Sequence, residues 1–168
     1  VLSMLRILDN PRQDIPLAAV LTSPIGGLNK EELALLRLED TEISFHECVL
    51  ALGEKLRKEG ETPKNSAEEK LIRFLRMYED LRQKVVDTPI HELIEILLKV
   101  TGYGNYAAAM PAGNRRRANL EMLVEKAIAY ENTSYKGLFH FIRYIDELQK
   151  YDVDFGEADR VGENEDVV

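Results

Sequence analysis

Two short runs in this sequence hold residue types that could meet a phosphate. The first is LTSPIGGLNKEELALLR, residues 21–37, in which Gly26 and Gly27 stand just before a helix start led by Asn29 and Lys30. Bare backbone lets a chain turn sharply and lets another molecule approach closely. Amides at the following helix start point outward and favour an anion. Gly26, Gly27, Asn29 and Lys30 are therefore candidates for holding a nucleic-acid backbone without base readout. The same glycines also suit a plain corner between two helices, and the residues alone leave both open. The second run is NRRRAN, residues 114–119, the densest basic cluster. It falls at a predicted helix start, where the helix dipole disfavours cations. Arg115, Arg116 and Arg117 thus call for partners: acidic side chains, the acidic end of the chain, or phosphates.

Other chemistry is sparse. His46-Glu47-Cys48 puts three ligand types in a row, but neighbours on a helix point about 100° apart and cannot converge on one ion. HELIE, residues 91–95, lacks the second His of a zinc-protease helix, so Glu92 and Glu95 read as a wet helix face. Ser44 and Ser134 have no His partner in a recognisable pattern. No GxxxxGK[ST] or GxGxxG occurs. No catalytic residue, bound cofactor or metal of the chain's own is expected.

The elements that must position these residues read as helices throughout. Apolar residues recur every three or four positions, and no run alternates as a strand would. Leu2, Leu5 and Leu8 fit a first helix ended by Asn10-Pro11. Asp14 is expected to cap a second, with Leu17, Val20 and Leu21 inward. Asn29 with Glu32, Ser44 with Glu47, and Ser66 with Glu69 fit capping boxes of three more. Thr88-Pro89 reads as a cap followed by a first-turn proline, with Leu93, Ile94, Leu97 and Leu98 inward. Residues 102–113 read as an irregular connection. A helix then runs from about Asn114 to Tyr130 with Leu120, Leu123 and Ala127 inward. The last runs from about Ser134 to Tyr151 with Leu138, Phe141, Ile142, Ile145 and Leu148 inward. The fold class is all-α, an irregular bundle of about seven to eight helices with an acidic C-terminal tail.

Charge divides the chain in the same way. The net charge is −8, and residues 146–168 hold nine acids against two bases, so the rest is close to neutral. The body is not a globally basic nucleic-acid binder and can carry patches of either sign. Two units are expected: a helical body, 1–151, and an acidic linker or tail, 152–168. The 45% hydrophobic content supplies a core without any Trp. The single cysteine, Cys48, excludes an internal disulfide and fits a reducing compartment. No apolar run reaches a membrane span, and no signal peptide is visible. The chain opens on Val, which suggests a piece of something longer.

The stretch LRILDNPRQDIPLAAVLTSPIGGLNKEELALLR, residues 5–37, resembles superfamily 1 DNA helicases of the UvrD/Rep type, most of all the AddA family of helicase-nuclease subunits. Its pattern "LDNP..D.PL..VL.SP..GL...EL" opens the family's insertion called subdomain 2B. NRRRANLEMLVEKAIAYENTSYKGLFHFIRYIDELQKYD, residues 114–152, resembles later helices of that insertion. GENEDVV, residues 162–168, is similar to the linker before the family's "SIHKSKGLE" motif. The middle, about 38–110, matches only in helical character. Two departures stand out: Thr22 where the family usually has Arg, and Gly26-Gly27-Leu28 where the UvrD/Rep branch has a Gly-Ile-Gly that holds duplex backbone.

The resemblance implies a fragment of a helicase whose ATP and Mg sites and nuclease lie outside it. It implies a cytoplasmic setting, double-stranded DNA as a partner, and contact with the rest of the helicase chain and an AddB-like subunit. The role implied is contact with duplex ahead of the motor and regulation of that motor during double-strand break repair and recombination. The alternative is a docking module that packs on the helicase core or partner subunit without touching DNA.

Overall fold

The computed structural model describes residues 1–38, 42–58, 60 and 63–162, of which 151–162 are described by backbone alone. Among these the fold is all-α, as the periodicity requires. Nine helices follow in order: α1 (Leu2–Asp9), α2 (Asp14–Leu21), α3 (Lys30–Leu38), α4 (Phe45–Lys58), α5 (Ser66–Lys84), α6 (Ile90–Thr101), α7 (Tyr103–Ala109), α8 (Gly113–Glu131) and α9 (Leu138–Gly162). The added helix is α7, where an irregular connection was expected. Gly102, in the left-handed region at φ 66°, ends α6 and at once precedes α7. YGNYAAA then has the alanines that favour helix, and Ala107 is buried.

The core grows outward from α1. Met4, Leu5, Ile7 and Leu8 are all buried, and α1 packs on α2, α5 and α9. The Tyr78 hydroxyl of α5 donates to the Ile7 carbonyl at 2.8 Å, so even this buried polar group is satisfied. Arg6 of α1 pairs with Asp146 of α9 at 2.5 Å. α1 and α9 pack on each other through this pair.

Helix starts are capped locally, from afar, or, in α4, both ways. The Asn29–Glu32 and Ser44–Glu47 boxes form as the spacing predicts. The next box sits one residue earlier than expected: Asn65 Oδ1 accepts the Glu68 amide at 2.9 Å, and Glu68 Oε2 accepts the Lys64 amide at 2.7 Å. Asp14 does not cap its own helix. Its carboxylate accepts the Phe45 amide at 2.9 Å and the His46 amide at 3.0 Å, closing the start of α4. Likewise Thr88 is not the cap of α6. Glu131, the last residue of α8, accepts the Ile90 amide and meets His91 Nδ1. These carboxylates satisfy orphan donors and complement the helix dipole together.

Two further expectations shift. Leu120 and Leu123 are only half-buried; α8 packs mainly on α6 and α7, and Ala127 and Tyr130 are its buried residues. The last helix opens at Leu138 rather than Ser134. Thr133 and Gly137 hold a turn before it: Thr133 Oγ1 accepts the Tyr135 amide at 3.2 Å, and Gly137 has φ 94°. The backbone of α9 runs to Gly162; the acidic character expected of 152–168 falls on residues outside the described side chains. Because Asp14 holds two amides of α4, Asp14→Ala should lower stability by about 1–2 kcal/mol. Urea unfolding of the two forms checks this, and an unchanged midpoint would contradict the assignment.

Candidate nucleic-acid interface

The α2–α3 corner begins with Thr22 and Ser23 folding back onto α2. Thr22 Oγ1 donates to the Ala18 carbonyl at 2.8 Å and Ser23 Oγ to the Val20 carbonyl at 2.7 Å. Ile25 and Leu28 are buried on either side of the glycine pair, which pins it to the body. At Gly26 a Cβ would lie 2.3 Å from the Leu21 carbonyl oxygen. That is a backbone-on-backbone approach that no side chain survives. Gly27 turns the chain through the left-handed region at φ 74°.

The amides of the corner are spent internally. Gly26 donates to the Val20 carbonyl at 3.2 Å, Gly27 to Ser23 at 2.7 Å, and Leu28 to Leu21 at 2.9 Å. Asn29 and Glu32 exchange their capping bonds at 2.8 and 2.7 Å. Glu32 reaches further. Lys70 of α5 donates to both its oxygens at 2.8 Å, and Ser66 adds a hydroxyl. The Lys70 bonds first, then Asn29 and Ser66, hold the Glu32 carboxyl down at about 2 from its ordinary 4.5. This constellation ties the start of α3 to α5, and it places acids, Glu31 and Glu32, in the first turn of α3. What the corner offers an anion is therefore side-chain cations on a bare, tightly turned backbone.

Lys30 is exposed there and makes no ion pair among the described residues. A second cation arrives from α5. Arg73 is exposed, and its Nη2 lies 3.3 Å from where a Gly27 Cβ would stand. It too makes no ion pair among the described residues. Sequence reading missed it because Arg73, in the run KLIRFLR, looks like any solvated helix position. Nothing in its spacing points back to residue 27.

The arginine cluster lies elsewhere. Arg115, Arg116 and Arg117 open α8, which packs on α6 and α7, whereas α3 packs on α4 and α5. The structure does not bring the two candidate groups together into one patch. Arg116 Nε donates to the Pro111 carbonyl at 3.1 Å, and Arg117 pairs with Glu121 at 2.8 Å. The partners their position demands are thus local for two of the three. Arg115 makes no ion pair among the described residues.

The weaker motifs resolve as structural. Cys48 is buried, with its thiol toward the Leu36 carbonyl at 3.1 Å, while His46 is half-buried beside it. Glu92 and Glu95 are exposed. Among the described residues no three His, Cys, Asp or Glu side chains are grouped to hold a metal ion. No described helix is long and apolar enough to cross a membrane.

Comparison with known proteins identifies the class: a helical segment of much larger helicase/nuclease polypeptides. All 168 residues match the A subunit of the ATP-dependent helicase/nuclease of Oceanobacillus iheyensis at 42% identity. The protein of the same name from Thermoanaerobacter pseudethanolicus matches at 45%, again over the whole chain. That from Lachnoclostridium phytofermentans matches at 40%, with the whole chain aligned over 206 residues. The chain spans only 13–15% of the length of these relatives. No protein-family model matches it. The chain belongs to the AddA family of ATP-dependent helicase/nuclease subunits, as a fragment of such a protein. The alignments span the middle of the chain as well as its two ends.

The corner yields two expected outcomes. Gly26→Ala should cost at least about 2 kcal/mol, because backbone must move. Gly27→Ala should cost about 1 kcal/mol from its positive φ; urea unfolding ranks them, and equal costs would contradict the geometry. The low pKa of Glu32 stabilises the fold above pH 4.5, and that contribution is lost as pH falls toward about 2. Glu32→Gln should therefore be less stable than the parent at neutral pH, with the gap closing over that acid range in pH-dependent melting curves.

Proposed function

We propose that this chain is a non-catalytic accessory subdomain, of the 2B kind, in an AddA-like ATP-dependent DNA helicase/exonuclease. It positions duplex DNA for the motor through backbone contacts during double-strand break processing. The observation that carries this reading is the match of the entire chain to a small part of proteins named as the A subunit of an ATP-dependent helicase/nuclease. ATP and Mg are then bound elsewhere in the parent, where the hydrolysis and strand cleavage take place. The acidic 152–168 segment leads back to the helicase core.

Contact is electrostatic and without base readout. Gly27 and Asn29, both exposed, form the close-approach surface, Lys30 supplies charge beside them, and Gly26, which is buried, acts only by shaping the turn beneath. Arg115, with Arg116 and Arg117 behind their local bonds, forms a second contact. A docking role on the core or an AddB-like subunit is favoured by a separate observation: Tyr106 of α7 and Met122 and Ile128 of α8 are exposed on one helical arm.

The test is titration of labelled duplex with the full-length protein, assembled with its partner, at two salt concentrations. Changing Lys30 and Arg115 to Arg117 to Ala should weaken binding and flatten its salt dependence by about one unit of slope for each phosphate no longer neutralised. Unaltered affinity and slope, with assembly impaired, would favour the docking role instead.

A further inference from the structure

We propose that Arg73, reaching from α5 over the glycine corner, is the principal side chain there that grips a phosphodiester of duplex DNA. This rests on the duplex-contact reading above and assigns the contact to a residue that reading does not contain.

Elimination among the groups of the corner leads to this residue. The amides of Gly26, Gly27 and Leu28 are bonded to Val20, Ser23 and Leu21, so the backbone has no donor left at these positions. Asn29 is committed to Glu32 through its side chain, and Lys70 to both oxygens of that same carboxylate. Arg76, one turn beyond Arg73, has partners of its own. Glu69, one turn before, lines the same cleft as Arg73 and makes no ion pair with it among the described residues. Lys30 and Arg73 are the cations left uncommitted beside the glycine pair.

Of these two, Arg73 is the better placed. Its guanidinium lies over Gly27, 3.3 Å from the position a side chain would occupy. The bare residue therefore does two things: it permits the turn at φ 74°, and it leaves room for the guanidinium against the backbone. Glu32 is already occupied by Lys70, which donates to both its oxygens. A planar fork of donors, weakly hydrated and held against a rigid corner, suits bidentate capture of a phosphate. Lys30 contributes a more mobile point charge.

The experiment titrates a fluorescein-labelled blunt duplex with the full-length protein assembled with its partner. Arg73→Ala should weaken duplex binding by about five- to tenfold and reduce the slope of log affinity against log salt by about one. Arg73→Lys should keep the slope and lose part of the affinity, because lysine keeps the charge and not the fork. Melting temperature should stay unchanged in both, since the side chain is exposed. The proposal is overturned if Arg73→Ala retains parental affinity and slope while the Lys30 and Arg115–Arg117 changes weaken binding; the duplex reading then survives without it. It is also overturned if Arg73→Ala loses affinity only together with a lowered melting temperature and an unchanged slope. If no variant alters duplex binding, the duplex reading itself fails, and this inference with it.

Discussion

The approach of Gly26 to the backbone of Leu21 is the contact on which the α2–α3 corner and the candidate site beside it depend. With no side chain between them, the chain reverses within a few residues of the end of α2. That reversal delivers α3 to the flank of α5, where Lys70 and Ser66 close on Glu32. The same reversal brings Gly27 under Arg73. A larger residue at position 26 would have to move main chain, and everything assembled beyond the corner would move with it.

Helix capping is the second organising constraint. A body of short helices exposes many orphan amides, and each helix start must find acceptors. The starts of α3 and α5 solve this within the neighbouring residues, through Asn29 and Asn65. The start of α6 recruits Glu131 from across the fold, and that of α4 combines the local Ser44 with the distant Asp14. These long-range caps serve as tertiary contacts as well. Each fixes the angle at which one helix meets another, in addition to satisfying donors.

The candidate interface follows from this arrangement. Its amides are consumed by the fold, so the turn is stable without a ligand, and side-chain charge is left to meet an anion. The arginines of α8 stand apart on an arm whose outer faces carry exposed Tyr106, Met122 and Ile128.

Much of this was legible in the residues alone. Periodicity determined an all-α fold, since three- and four-residue spacing has no other solution. Capping boxes at Asn29–Glu32 and Ser44–Glu47 were readable because their partners are three residues apart. The family resemblance was readable from residues 5–37 and 114–152. The corner reading of Gly26 was available too, as one of two alternatives. Tertiary structure decided the rest. It set the Leu21 backbone against Gly26, made a helix of the residues after Gly102 with Ala107 buried, and left Leu120 half-buried. It gave Asp14 to α4 and placed Arg73 over Gly27. The physical reason is common to these cases: sequence spacing fixes which residues share a helix face, but not which distant helix that face will meet.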